Sequence, residues 1–211
     1  MIKSITTLVV VLFVQNLFAQ DIYVTTGHNI TSIYMSNSDN PLLKTSNKIS
    51  NPGNFYEVGM VFNENSPEVA YSVGLSYNEY NTSYYVSGTA IRYDWQTEYI
   101  GIQNSLVYDL LNSDSRENTF QINTKLGLNT AVYIKGYQNA NGTHYTITNS
   151  PDFRRFILQP YGGLQLAFRV SNNCKFNAGY QLSIANIGKD QGGSFNYINQ
   201  QLQVGFSFSI N

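Results

Sequence analysis

The sequence predicts an eight-stranded antiparallel up-and-down transmembrane β-barrel. Three observations predict it. Apolar residues recur at every second position in eight segments, with no helical period after residue 20. Charged residues make up 12% of the 211, against ~25% in a soluble domain. Mean hydropathy is nonetheless slightly negative at −0.24. Low charge without high hydropathy suits a sheet that is apolar outside and polar but mostly uncharged inside.

The first element is expected to be removed. Met1, Ile2 and Lys3 supply a positive start, LVVVLFV over residues 8–14 is an apolar run, and Ala19 precedes Gln20. This is the pattern of a secretory signal peptide over residues 1–19, leaving residues 20–211 as one barrel domain. The run is shorter than the ~20 residues a spanning helix needs.

The eight segments are expected near residues 21–34, 54–62, 69–81, 90–111, 119–137, 154–170, 175–187 and 195–210. Clusters of Asn, Ser, Asp, Gly and Pro separate them. The first is the least regular. In the fifth, Phe120, Ile122, Leu126, Leu128, Val132 and Ile134 share a face, opposed by Gln121, Asn123, Lys125, Asn129 and Lys135. The sixth sets Phe156, Leu158, Leu164, Leu166, Phe168 and Val170 against Arg155, Gln159, Gln165 and Arg169. The seventh opposes Phe176, Ala178, Tyr180, Leu182 and Ile184 to Lys175, Asn177, Gln181 and Ser183. The last opposes Ile198, Leu202, Val204, Phe206, Phe208 and Ile210 to Gln201, Gln203, Gly205 and Ser207.

Alternation alone does not say which face looks outward. The polar faces are Gln, Asn, Ser and Gly rather than the Lys and Glu of a solvated exterior, and the apolar stripes match the ~9–11 residues of a tilted spanning strand. Lipid is therefore placed outside. A soluble lipocalin-like carrier is the alternative and requires the apolar stripes to face a cavity. In the fourth segment Tyr93 and Trp95 fall on the parity opposite to Ile100, Ile102, Leu106, Tyr108 and Leu110, which places a phase change near Glu98. A β-bulge or a projection beyond the bilayer would produce it.

Hydrocarbon offers backbone groups no partners, so the last strand must pair with the first. An eight-stranded barrel is just wide enough for its side chains to fill it. Glu57, Asp109, Lys125, Lys135, Arg155 and Arg169 are expected inside, in a hydrogen-bonded and charged plug among Gln, Asn and Tyr. Of the connections expected on the outer side, the first and third are long, which agrees in part with the long extracellular loops and short periplasmic turns of bacterial barrels.

No residue is assigned a catalytic, cofactor-binding or metal-binding role. The two histidines, His28 and His144, lack the local spacing of a Ser–His hydrolase, and neither has a Cys or His partner at metal-binding spacing. An outer-membrane hydrolase is the lesser alternative. Cys174 is the single cysteine, which excludes an internal disulfide. A net charge of −1 argues against nucleic acid as a partner. The partner implied by the outward apolar faces is outer-membrane lipid. The outer loops are candidate contact surfaces for an extracellular ligand that the sequence does not specify.

The signal segment ending LFAQ, the stretch EYIGIQNSLVYDL and the closing LQVGFSFSI resemble the small outer-membrane barrels of Gram-negative bacteria, especially the PorT-like barrel-domain family. Glu98 and Gly101 stand near the Glu and Pro of that family's Glu-Ile-Pro strand, although proline is absent and one residue intervenes. The resemblance implies an outer-membrane location, and passage by way of periplasmic chaperones and the barrel-insertion machinery. It carries no secretion role to this chain.

Overall fold

A computed structural model describes residues 21–36, 51–62, 68–85, 92–111, 119–147, 154–190 and 193–210. The expected signal peptide lies outside them. The strands are β1 (Asp21–Ser36), β2 (Gly53–Phe62), β3 (Val69–Tyr85), β4 (Arg92–Asp109), β5 (Phe120–Ala140), β6 (Thr143–Thr146), β7 (Phe156–Ser171), β8 (Cys174–Asp190) and β9 (Gly193–Ser209). Neighbours run β4-β3-β2-β1-β9-β8-β7-β5, and β4 also pairs with β5. Eight antiparallel strands therefore close into a barrel. The seam expected between the ends of the chain is the β1–β9 ladder, with Asp21 opposite Ser209 and Ser36 opposite Ser194.

Among the described residues the one strand outside the ring is β6, which pairs there only with the end of β5, Ala140 opposite Thr143. The turn between them is Asn141-Gly142, with φ of 49° and 86°. Two consecutive positive φ angles are what a two-residue type I′ hairpin requires, and Asn-Gly is its favoured pair. Asn139 Oδ1 accepts a 2.8 Å hydrogen bond from Gly142 N.

The apolar faces point outward. Leu126 is 63% exposed, Leu164 54% and Phe206 46%, whereas their polar neighbour Gln203 is 6% exposed. A carrier would show the reverse arrangement. Aromatic pairs ring the outer face at the end where β1 begins and β9 finishes: Phe62–Tyr71, Phe120–Phe168 and Phe176–Phe206, with ring centroids 6.3, 4.9 and 5.6 Å apart. Below we call this the terminal end and the opposite one the loop end.

A β-bulge lies at Glu98, but its extra residue sits on the facing strand β5. β4 keeps an unbroken register with β3, so the phase change expected within it is absent, and Tyr93 and Trp95 stay on the parity of the buried Tyr99. Glu98 pairs with Lys135 and Tyr99 with Tyr133, leaving Ile134 without a partner position. The insertion flips every later residue of β5, which corrects the inward placement of Lys135. Its side chain is 46% exposed and lies 3.2 Å from Glu98 on the outside. Arg155 is a second correction. It directly precedes β7 at the loop end, where its carbonyl accepts a 2.8 Å hydrogen bond from Tyr133 N, and it is exposed rather than part of a buried plug.

Candidate functional site

The lumen has three layers, each set by the size and polarity of the inward residues. At the loop end Tyr80, Tyr99 and Tyr197 are fully buried, together with Ala131, Ile157, Ala185 and Ile187. The Tyr80 ring lies 5.8 Å from that of Tyr99 and 5.2 Å from that of Tyr197. Tyr80 Oη donates to Gln159 Oε1 at 2.7 Å, and Thr97 Oγ1 and Tyr197 Oη lie 2.9 Å apart. These two hydroxyls have the partners that burial among rings calls for, whereas Tyr99 Oη is buried without one. The layer closes the barrel at this level.

Below it lies a band of short polar chains. Thr31 Oγ1 donates to Asn199 Oδ1 at 3.0 Å, and Asn199 Nδ2 donates to Asn29 Oδ1 at 3.1 Å. Asn129 Nδ2 donates to Gln159 Oε1 at 3.2 Å, and Gln159 Nε2 to Ser183 Oγ at 2.8 Å. These bonds tie β1 to β9 and β5 to β7 and β8 across the interior. Glu57, 3% exposed, enters this band and accepts a 2.5 Å hydrogen bond from Tyr23 Oη at Oε1. The Tyr23 ring fits because two facing wall positions lack a side chain. A Cβ on Gly59 would come within 2.5 Å of Tyr23 Cζ, and one on Gly74 within 2.6 Å of Tyr23 Oη.

The third layer is a vestibule of about 680 Å³ at the terminal end, so the lumen is not filled along its whole length as the sequence suggested. Many of the lining residues here are short, among them Thr25, Ala70, Ser72, Ala167, Gly179 and Ser207. Their side chains do not reach the barrel axis. Lys125, Asp109 and Arg169 line this space, which bears out three of the inward charges. Lys125 is 6% exposed, with its Nζ 5.5 Å from the centre of the Tyr23 ring. Near the mouth Lys175 Nζ is 3.8 Å from Asp21 Oδ2, and Cys174 is a partly buried free thiol.

The two histidines are held apart from these layers. His28 is exposed on the outer parity of β1, opposite Asn54 and Leu202. His144 is exposed on β6, opposite Asn139. Among the described residues no group of three His, Cys, Asp or Glu is placed to hold a metal ion.

A closed eight-stranded ring with an apolar outside and a polar inside is the architecture of transmembrane outer-membrane β-barrels. Solved structures share it. The chain is similar to Neisserial surface protein A at 14% identity and a TM-score of 0.52, with 90% of this chain and 96% of that one covered. It is similar to the outer membrane protein OprG from Pseudomonas aeruginosa at 10% identity and a TM-score of 0.51, covering 92% and 97%. Identities this low establish the shared fold. No protein-family profile and no curated protein matches the chain by sequence.

Proposed function

We propose that the protein is a non-catalytic barrel of the bacterial outer membrane, sealed against through-flow and acting through the surfaces at its two ends. The observation that carries this reading is the pairing of an outward apolar belt with a fully buried tyrosine layer across the lumen. Exposed Leu, Ile, Val and Phe side chains on every strand of the ring would form an aggregating patch in water, but cost nothing in lipid. The leader is cleaved after Ala19, and the terminal end faces the periplasm. Outer-membrane lipid is the standing partner of the belt. Periplasmic chaperones and the barrel-insertion machinery act during biogenesis, recognising the closing strand β9 with its Phe206 and Phe208. An extracellular ligand would meet the connections between β1 and β2 and between β5 and β7.

A relation to the PorT-like family belongs to the same reading. It is supported by EYIGIQNSLVYDL, which runs along β4, and by LQVGFSFSI, which forms the closing β9. The test is conductance in planar bilayers. The native chain is expected to insert without opening a steady ion path, whereas Tyr80→Ala, Tyr99→Ala and Tyr197→Ala together should open one. A stable conductance from the native chain would contradict the sealed lumen.

A further inference from the structure

The vestibule has the volume of a small-molecule site, ~300–1,000 Å³, and holds a charged group that its own walls leave unanswered. Lys125 is 6% exposed, lines the space and makes no ion pair or hydrogen bond among the described residues. The other charges are engaged. Asp21 is paired with Lys175, and Glu68, Asp109 and Arg169 each interact with other groups. Glu57 stands behind Tyr23, bound to its hydroxyl at Oε1 and with Oε2 buried without a hydrogen-bond partner, and is not part of the lining. The Lys125 ammonium opens onto the vestibule with no anion beside it among the described residues, so an anion entering the space would gain a charge-assisted contact there. Hydroxyl groups on that anion would meet the partly exposed amides of Asn123 and Gln165 in the lining.

We propose that the vestibule binds a small hydroxylated anion, a sugar acid or sugar phosphate, with its charge at Lys125 and hydroxyls donating to the Asn123 and Gln165 amides. Asn177 supplies a further amide along the lining, and the Tyr23 ring offers a flat face. The site stands on the cavity itself and does not depend on which side of a membrane its mouth faces.

Equilibrium dialysis of the full chain in detergent, with glucuronate, glucose 6-phosphate and glucose as probes, tests it. At least one anion should bind once per barrel and roughly tenfold or more tighter than glucose, as a charge-assisted contact would give. The bound anion should also slow alkylation of Cys174 at the mouth. A preference for glucuronate or for glucose 6-phosphate separates carboxylate from phosphate as the recognised group. Lys125→Gln should remove the advantage over glucose, Lys125→Arg should keep part of it, and Glu57→Gln should leave it intact or increase it. Equal binding of all three probes, no binding at millimolar concentration, or an advantage that survives Lys125→Gln would overturn the proposal. So would a Lys125→Gln chain that folds only when Glu57→Gln is added, because Lys125 would then be the counter-charge of Glu57.

Discussion

Truncating Tyr80 separates the packing of the loop-end layer from its hydrogen bonding. The side chain is fully buried, its ring contacts those of Tyr99 and Tyr197, and its hydroxyl donates to Gln159 Oε1 at 2.7 Å. Tyr80→Ala removes a complete aromatic ring from a packed interior, which costs about 3–5 kcal/mol. Tyr80→Phe keeps the ring and deletes one hydroxyl. Gln159 Oε1 still receives Asn129 Nδ2 at 3.2 Å, so no buried acceptor is orphaned. The loss is then that of one net hydrogen bond, about 1 kcal/mol. Reversible urea unfolding of the barrel in lipid vesicles measures both variants. The expected order is native, Tyr80→Phe, Tyr80→Ala, with the second step larger than the first. Equal losses would mean that the hydroxyl rather than the ring holds the layer. A Tyr80→Ala loss below about 1 kcal/mol would mean that the ring is not packed in the folded chain.

Three further outcomes are expected. Leu126, 63% exposed, lies six positions along β5 from Phe120, about 15 Å above the terminal end for a strand tilted ~40°. Leu126→Arg should therefore cost about 2–4 kcal/mol in vesicles, while Val170→Arg at the terminal rim should cost ~0–1 kcal/mol, because the penalty falls toward the interface. Gly74→Ala would place a Cβ 2.6 Å from Tyr23 Oη and 2.5 Å from Glu57 Oε1, forcing the two apart. A loss of about 1–3 kcal/mol is expected, and adding Tyr23→Phe to Gly74→Ala should cost less than the sum of the two single changes, as unfolding of the double variant would show. Finally, the folded chain should migrate differently in a gel before and after boiling, and unheated native and Tyr80→Phe chains should share the folded position.

The fold was legible because a strand facing lipid on one side and a polar lumen on the other writes its structure at a period of two. β7 shows this directly, with Leu158, Leu164 and Phe168 exposed and Gln159, Tyr161 and Ala167 buried between them. Closure followed from the same pattern, since an apolar exterior leaves no place for an unpaired edge. The failures have local causes. A parity reading places Lys135 inside because nothing in YIKG marks the extra residue Ile134, and the bulge then turns Lys135 outward onto Glu98. Arg155 follows the inward parity of Ile157 and Gln159, but it stands at the loop-end rim, and parity does not say how near the rim a residue lies. The β5–β6 hairpin had an available signal in Asn141-Gly142, whose turn geometry favours that pair. The vestibule was the least visible feature. Its trace is the run of short inward residues near the terminal end, Ala70, Ser72, Ala167, Gly179 and Ser207, set against the tyrosines of the loop end. Side-chain length decides whether opposite walls meet, and alternation carries no information about length.

The account as a whole depends on which face of the sheet meets hydrocarbon. Nitroxide labels attached to Leu126→Cys, Leu164→Cys and Asn123→Cys, each with Cys174→Ser and in lipid vesicles, measure it through collision with oxygen or with a water-soluble nickel complex. Oxygen should dominate at positions 126 and 164, and the nickel complex should gain relative to oxygen at position 123, on the vestibule wall. The opposite ranking would contradict the account.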